Sequence, residues 1–362
     1  MRIETVALWL VDLPRARSLT TSYGVHSVST NVVVAIETGD GLIGWGQTTV
    51  VSPWYGPPVE VVVAEIEHHL IPALKGQDPR NVARCARKMD AALPEGLFAK
   101  SALECALWDL CGKAYGVPVH QLLGGQVRDG IVLHGTVDFG APDEMADSAR
   151  RGAADGWKLM KIKIGLDPRD DLDRYRAVRA AVGDDVRFQL DGNTGYTLGQ
   201  AIQTIREMER IGGVGIIEQP VRTIDEMARL VRAIESPVQA DEAVHTPRDA
   251  HEIAVAGAAH VLHLKLHKLG GLLRAREIAT VAAAAGMAVS VAPYTDLELA
   301  AAAHFAAATA NASWGAGFTS MAASVLRTPI QPVGQRVPPP PGPGLGVEID
   351  RDMLRTLRHR EV

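Results

Sequence analysis

From Gly130 onward, short apolar runs alternate with longer amphipathic runs. The apolar runs predict seven strands, with a weaker eighth near ASWGAGF: IVLHGTV, WKLMKIKI, DVRFQL, VGIIE, SPVQA, HVLHLK and MAVSVAP. The segments between them, such as DDLDRYRAVRAAVG and TIDEMARLVRAIE, place apolar residues at helical spacing. Repeated strand-helix units imply a parallel sheet, and about eight of them imply closure into a barrel.

The first part of the chain has a different pattern. Two strand-like runs, TNVVVAIET and GDGLIGWGQTTVV, meet at a Gly-Asp-Gly turn, and helical patterns follow in VEVVVAEIEHHLIPAL and AKSALECALWDLCGKAYG. We therefore predict an α/β protein, a modified TIM (β/α) barrel with an N-terminal α+β capping domain. Residues 1–125 form the cap, residues 126–324 form the barrel, and the C-terminal tail, 325–362, returns to the cap.

Composition narrows the functional classes. The 362 residues are 47% hydrophobic and 22% charged, with a formal net charge of −5, so no positive field would attract nucleic acid or an anionic membrane. We find no signal peptide at the N-terminus, and the apolar runs are too short to span a bilayer. The three cysteines, Cys85, Cys105 and Cys111, lack zinc-ligand spacing and are expected as buried free thiols, which favours a cytoplasmic protein.

Three acidic residues end successive predicted strands. Asp191 ends VRFQLD, Glu218 ends VGIIE, and Asp241 follows PVQA, at intervals of about one strand-helix unit. In a parallel barrel, residues at the C-terminal strand ends converge on one mouth, where the chemistry takes place. Because buried charges need partners or a metal, the spacing predicts a carboxylate cluster that binds a cation.

Three lysines flank this cluster. Lys161 and Lys163 share one face of the second predicted strand, while Ile162 and Ile164 take the other face. Lys265 closes the sixth strand, which lies opposite the second in an eight-stranded barrel. A substrate held on the cation would then have an amine on each side, and this arrangement indicates two-base chemistry at one carbon.

The charge balance indicates the metal and the substrate. Oxygen ligands on an open site favour Mg²⁺, or Mn²⁺, over zinc. Three carboxylates and one divalent cation leave about one negative charge, which nearby lysines and a small carboxylate substrate would balance. Such a cation stabilises the charge that develops when a proton leaves the carbon beside a carboxylate.

These segments resemble the enolase superfamily and, within it, the muconate-lactonizing-enzyme subgroup. The matching runs cover nearly the whole chain in order: GWGQ, AKSALECALWDLCGK, LLGG, KIKIG, LDGNTGYT, IIEQP, QADE, HLKLHKLGG and PGPGLGVEI. The resemblance implies metal ligation by Asp191, Glu218 and Asp241, acid/base catalysis by Lys163 and Lys265, electrostatic help from Lys161, and a place for Asn193 as a partner at the metal. Members of this family are often symmetric oligomers, so the resemblance also implies a homo-oligomer.

The chain departs from the family pattern around the substrate. Gln47 stands where many relatives carry Glu after GWG, and Tyr294 stands near the end of the seventh strand, where many also carry Glu. The last strand lacks the paired aspartates that bind a substrate ammonium in dipeptide epimerases. We expect five residues to bind substrate: Trp54, Tyr55, Tyr294, Asp296 and Trp314. The aromatic faces of Trp54, Tyr55 and Trp314 would suit a substrate cation.

Two further groups are expected to support the site. Glu242, beside Asp241, is expected to form a salt bridge or to support the metal ligands rather than to bind the metal. The histidines His260, His263 and His267 span a strand and a loop, so their imidazoles should diverge, and structural roles are favoured over a zinc site. His263 is expected to face the lumen beneath Lys265.

The leading hypothesis is a Mg²⁺-dependent racemase or epimerase acting on an amino-acid-derived carboxylate that is N-substituted, a betaine or cyclic. One alternative keeps the site and changes the outcome, as in muconate-type cycloisomerisation or dehydration of a hydroxy-amino acid. Another is a non-catalytic binding barrel.

Overall fold

The structure is a computed structural model that describes residues 1–21, 24–52 and 55–361; residues 19–21, 24–25 and 358–361 are described by their backbone alone. The strands are β1 Ile3–Thr21, β2 Gly24–Thr38, β3 Ile43–Val50, β4 Ile131–Thr136, β5 Leu159–Lys163, β6 Arg187–Asp191, β7 Val214–Glu218, β8 Val238–Ala240, β9 Val261–Leu264, β10 Ala288–Val291, β11 Ala312–Trp314, β12 Ala316–Gly317, β13 Arg336–Val337 and β14 Arg358–Glu361.

Helices surround both sheets. They are α1 Val59–Glu65, α2 Ile71–Leu74, α3 Val82–Ala92, α4 Leu97–Tyr115, α5 Val119–Leu122, α6 Pro142–Ala154, α7 Pro168–Ala181, α8 Leu198–Ile211, α9 Ile224–Val231, α10 Pro247–Ala256, α11 Leu266–Leu269, α12 Leu272–Ala284, α13 Asp296–Ala307 and α14 Arg351–Leu357. A π-helical turn, Ile66–Leu70, joins α1 to α2.

The N-terminal part contains an antiparallel sheet in the order β14-β1-β2-β3, so the last strand of the chain pairs with the first. Helix α4 packs against β3 at very short range: a Cβ on Gly46 would lie 2.0 Å from the carbonyl oxygen of Ala102. Helix α4 is buried along most of its length, as expected for a helix that is apolar on every side. It lies between the cap sheet and the barrel helices α11 and α12.

The barrel has eight strand positions. Strands β4 to β10 pair in parallel, each with the next. The eighth position is split at Gly315, so that β11 pairs with β10 and β12 pairs with β4, which nearly closes the sheet. This confirms the predicted fold class, including the weak eighth strand at ASWGAGF.

Threonine capping sets where three barrel helices begin. Thr197, Thr223 and Thr246 each accept a hydrogen bond from the third residue of the following helix, whose own side chain bonds back to the threonine N–H. Each cap fixes the turn between a barrel strand and its helix. The strand ends that carry the candidate carboxylates are therefore held on ordered loops.

One buried carboxylate joins the cap to the barrel. Glu104 of α4 accepts hydrogen bonds from the backbone N–H groups of Leu272 and Leu273, at 2.6 and 2.8 Å, and from Trp108 Nε1 at 3.0 Å. It thus satisfies the N-terminal N–H groups of α12 from another part of the chain. Gly271 permits this approach, because a Cβ there would lie 2.1 Å from Glu104 Oε2.

Within the described ranges, no helix is both long and apolar enough to cross a membrane. The three cysteines are buried and free, as expected.

Candidate active site

The candidate carboxylates and lysines lie side by side because of strand register. In the parallel ladder Lys163 is opposite Asp191, and Asp191 is opposite Glu218. Lys161 Nζ lies 2.7 Å from Asp191 Oδ2 and 2.6 Å from Glu218 Oε2. Lys163 Nζ lies 2.5 Å from Asp191 Oδ2 and 2.6 Å from Asn193 Oδ1. The second, third and fourth barrel strands thus bring one charged cluster together.

Asp241 gathers a second pair of ammonium groups. Lys265 Nζ lies 2.6 Å from Asp241 Oδ2, and Lys268 Nζ lies 2.7 Å from Asp241 Oδ1. Lys268 also donates to the backbone carbonyl of Asp241. Lys265 directly follows β9, and Lys268 lies one turn later on α11, so a single turn of helix aims both amines at one carboxylate.

Lys161, Lys163 and Lys265 face one cavity of about 1040 Å³ at the C-terminal end of the barrel. Lys161 and Lys163 enter it from β5, and Lys265 enters it from the end of β9. These are the second and sixth of the eight strand positions, which lie across the barrel from each other. The rest of the lining includes cap residues such as Arg15 and His26, and the barrel aromatics Tyr294 and Phe318.

A group of buried residues beside the cavity could hold a metal ion. One ligand atom each from Glu218, Asp241 and His263 lie within 4.8 Å of one another, and all three residues are buried. Asp191, the other expected ligand, is bound by Lys161 and Lys163 next to this group. Glu218 Oε1 is buried and, in the described part of the chain, has no hydrogen-bond partner. Two neighbouring carboxylates, one of them with an unpaired oxygen, fit a hard divalent cation.

His263 faces this group from β9, one inward position before Lys265. Its Nδ1 lies 2.7 Å from Ser290 Oγ, which itself donates to the carbonyl of Gly315 at 3.1 Å. His263 is therefore held by the neighbouring strand, as a structural histidine would be. It also lies much closer to the carboxylates than the sequence indicated.

Burial is the largest single influence on the pKa of both Lys163 and Lys265, but a neighbouring charge reverses the direction of the shift at Lys265. Burial lowers the pKa of Lys163, and the ammonium of Lys161 acts in the same direction. Burial also acts to lower the pKa of Lys265, but the charge of Asp241 outweighs it and raises that pKa well above its ordinary value. The pKa values of the two opposed amines are thus shifted in opposite directions.

The pKa values of the carboxylates are also shifted in different directions. Burial would raise the pKa of Asp191 and Asp241, but the adjacent lysines hold both well below the usual range. Burial raises the pKa of Glu218, and repulsion from Asp191 adds to this. Burial, together with Asp241 and Asp191, raises the pKa of Glu242 to about 7.

Asn193 and Glu242 connect the two clusters. Asn193 Nδ2 donates to Glu242 Oε1 at 3.0 Å, while Asn193 Oδ1 accepts from Lys163. The backbone N–H of Asn193 donates to Asp191 Oδ1 at 3.0 Å, and its φ of 39° turns the chain back toward the cluster. Both residues thus lie where a supporting role was expected.

Only some of the expected substrate-binding residues lie at the cavity or beside Lys265. Tyr294 lines the cavity, and Tyr55 places its ring face 4.8 Å from Lys265 Nζ. Trp54 lies outside the described residues. Asp296 does not line this cavity, because its oxygens accept from Ser324 Oγ at 2.7 Å and from the N–H of Val325 at 2.9 Å.

Trp314 is also displaced from the expected position. It is half-buried on β11 and does not line the cavity, because the eighth strand position is split just after it at Gly315. The cavity wall there is made by Ala316, Gly317 and Phe318. Phe318 therefore supplies the aromatic group that the sequence predicts at Trp314.

Sequence reasoning missed Lys268, His267 and Glu298. Lys268 could have been found, because it follows Lys265 by one helical turn in the run KLHKLGG. His267 donates from Nδ1 to Glu298 Oε1 at 2.6 Å, and its Nε2 lies 2.9 Å from the hydroxyl of Tyr55. No local pattern signals that contact, because Tyr55 and His267 are far apart in the sequence.

The comparisons with known proteins agree with this architecture. Residues 4–124 match the mandelate racemase/muconate lactonizing enzyme N-terminal domain, and residues 144–353 match the enolase C-terminal domain-like family. The chain therefore belongs to the mandelate racemase/muconate lactonizing enzyme family of the enolase superfamily, and it is an enzyme of that class.

Two curated relatives and one solved structure show which members of the family this chain is similar to. The chain is 33% identical to the L-Ala-D/L-Glu epimerase of Bacillus subtilis (strain 168), with 96% of each protein covered. It is 32% identical to muconate cycloisomerase 1 of Acinetobacter baylyi, with 98% of each covered. The dipeptide epimerase from Cytophaga hutchinsonii, solved with Mg and the dipeptide D-Ala-L-Val, matches with a TM-score of 0.93 and 27% identity over 100% of this chain and 99% of that one.

Proposed function

We propose that this protein is a Mg²⁺-dependent racemase or epimerase that removes and returns the proton α to the carboxylate of an amino-acid derivative. One observation carries the proposal. Lys163 and Lys265 enter a single cavity from opposite sides, and each is bound to a different carboxylate. A carbon placed between them would have one amine on each face.

Asp191, Glu218 and Asp241 would hold the metal, with Asn193 and Glu242 supporting them. The unpaired, buried oxygen of Glu218 supports this assignment, as does the Mg in the related dipeptide epimerase. A bound divalent cation supplies positive charge beside the substrate carboxylate, where negative charge accumulates as the α-proton leaves. Mn²⁺ would be an alternative in the same oxygen-rich site.

The lysines carry the proton transfers. In one direction the neutral amine of Lys163 takes the α-proton, so that the C–H bond breaks and an N–H bond forms. The ammonium of Lys265 then returns a proton to the opposite face of the resulting enediolate. The lowered pKa of Lys163 and the raised pKa of Lys265 suit these starting states. In the other direction the two lysines exchange roles, while Lys161 stays charged between Asp191 and Glu218.

The substrate class is an amino-acid derivative that is N-substituted, a betaine or cyclic. The cap covers the cavity with Arg15 and His26, and Tyr55 and Tyr294 provide aromatic surface near Lys265. Aromatic faces bind a substituted ammonium without requiring a paired aspartate. Two of the relatives described above are, by name, epimerases of amino-acid derivatives.

Exchange of the α-proton in deuterated water tests this proposal. The panel comprises the two enantiomers of proline betaine, N-methylproline, N-acyl amino acids and hydroxyprolines, each with Mg²⁺, with Mn²⁺ and with chelator. We expect metal-dependent exchange for at least one N-substituted or cyclic member and none in the Lys163→Ala/Lys265→Ala double variant. Absence of exchange across the panel with metal present would reject the proposal.

The second candidate is a muconate-type cycloisomerase. The 32% identity to muconate cycloisomerase 1 favours it, and the same site would need only one lysine to act on the enolate carbon. Incubation with cis,cis-muconate and Mg²⁺, followed by NMR for the lactone, separates the candidates. Lactone formation without α-proton exchange of any amino-acid derivative would support the cycloisomerase.

A further inference from the structure

A hydrogen-bonded chain of side chains runs from the cap loop to the barrel beside Lys265. The hydroxyl of Tyr55 lies 2.9 Å from His267 Nε2 and 2.9 Å from the hydroxyl of Tyr294. On its other side, His267 Nδ1 lies 2.6 Å from Glu298 Oε1. These residues come from the loop after β3, from α11, from the end of β10 and from α13, so the chain connects four separate segments.

The donors in this chain can be assigned from Glu298. Its carboxylate accepts from the backbone N–H of Thr49 at 2.9 Å and from the backbone N–H of His267 at 3.3 Å, as well as from His267 Nδ1. Because a carboxylate only accepts, Nδ1 of His267 carries a proton. When the imidazole carries this proton alone, its Nε2 accepts from the hydroxyl of Tyr55, whose oxygen then accepts from Tyr294.

Packing fixes the rings in this arrangement. His267 is fully buried. The ring of Tyr55 stacks on His267 with centroids 5.9 Å apart and an interplanar angle of 22°, and Tyr294 meets His267 edge-on at 4.3 Å. Phe98 of the cap packs on the imidazole at 5.2 Å. The plane of Tyr55 is therefore set by its contacts as well as by its hydrogen bonds.

This packing affects the Lys265 side of the site. The ring of Tyr55 lies over the amine of Lys265, with 4.8 Å between Nζ and the ring centroid, whereas the contacts of Lys163 given above are with Asp191 and Asn193. We propose that His267, backed by Glu298, is a positioning residue that holds Tyr55 over Lys265, so that proton transfer on the Lys265 face depends on it. The sequence suggested that Tyr55 binds substrate directly; here its hydroxyl is used within the protein.

This inference rests on the proposed function, in which the two lysines serve opposite faces. The test compares His267→Leu and Tyr55→Phe with wild type, using D- and L-proline betaine separately in deuterated water with Mg²⁺. The enantiomer served by Lys265 is the one whose exchange Lys265→Ala abolishes. We expect both variants to slow its exchange by about 10- to 100-fold, since small displacements of a catalytic group cost that much. Exchange of the other enantiomer should change by less than about 3-fold.

A purely structural role for His267 would lower both exchanges together, and that result would overturn the inference. His304→Gln is the matched control, because His304 is another buried histidine of the barrel but is hydrogen-bonded to His120 at 3.0 Å. It should reduce stability without favouring one face. The two enantiomers have equal free energies, so any variant slows their interconversion equally in both directions. Only α-proton exchange with retention of configuration shows which face of the site is affected.

A second measurement needs no substrate and keeps the inference testable if proline betaine does not react. Lysine amines are labelled briefly with acetic anhydride, and the modified peptides are quantified by mass spectrometry. Loss of the His267 contact should release the ring of Tyr55 and raise labelling of Lys265 several-fold, leaving Lys163 unchanged. Unchanged labelling of Lys265 in His267→Leu would overturn the inference, whereas absence of exchange in wild type would bear only on the proposed function.

Discussion

Lys163 and Lys265 hydrogen-bond to two different carboxylates of one cavity, Lys163 to Asp191 at 2.5 Å and Lys265 to Asp241 at 2.6 Å. Removal of one lysine therefore leaves the opposite amine with its own carboxylate partner. The two faces of the site can then be tested one lysine at a time.

We expect Lys163→Ala and Lys265→Ala each to slow α-proton exchange of one enantiomer by about 10²- to 10⁴-fold. Each variant should retain exchange of the other enantiomer. NMR in deuterated water, with each enantiomer incubated separately, measures this. Lys75→Ala, an exposed cap position, serves as the control. If both variants lost exchange of the same enantiomer, only one lysine would act on the carbon.

Glu218 is expected to dominate metal binding, because its Oε1 is buried without a partner among the described groups. Wild type at a Mg²⁺ concentration of about 100 times Kd should be stabilised by about 2.7 kcal/mol. Glu218→Gln should lose most of that response, measured as the metal-dependent change in Tm. The exposed Glu235→Gln should keep the full response. A Glu218→Gln protein that responds like wild type would place the metal elsewhere.

Glu104 should make stability pH-dependent. Burial raises its pKa from 4.5 to about 7, so the folded protein holds a proton that the unfolded chain releases. The corresponding stability is fully present below pH 4.5 and is lost as pH rises through about 7. Urea denaturation should show that the free energy of unfolding of wild type falls by about 2 to 3 kcal/mol relative to that of Glu104→Gln between pH 5 and pH 8. A constant difference would show that Glu104 does not titrate in this range.

Gly46 should tolerate no side chain. A Cβ would lie 2.0 Å from the carbonyl of Ala102 and 2.6 Å from the N–H of Ala106, so β3 and α4 would have to separate. We expect Gly46→Ala to cost about 3 kcal/mol or more. Gly199→Ala, in the first turn of α8 with nothing within 4 Å, should instead stabilise the protein by up to about 1 kcal/mol. Equal effects of the two changes on denaturant midpoints would contradict this account.

The sequence was most informative where a local period controls the structure. Asp191 and Glu218 end strands, and the strand period predicts which side chains face inward, so their neighbourhood could be foreseen. Lys161 and Lys163 were placed on one face by the same rule. Even the weak eighth strand was located, because the barrel requires a segment between β10 and β4.

The sequence was least informative where contacts join distant segments. The hydroxyl of Tyr55 turns toward His267 and Tyr294, and Gln47 donates to Asn31 and Thr295 at 2.9 and 2.7 Å. Asp296 was misplaced for a related reason, since its partners, Ser324 and Val325, lie beyond the last barrel strand. Periodicity gives the direction of a side chain but not the identity of a distant partner.

The pairing of β14 with β1 has a consequence for biosynthesis. Strand β1 pairs on one side with β2 soon after both are synthesised, but its other edge waits until β14 has been translated, about 20 to 70 seconds later at ordinary elongation rates. During that interval an unpaired backbone edge is exposed to other nascent chains. Synthesis of β14 is thus the event that seals this edge.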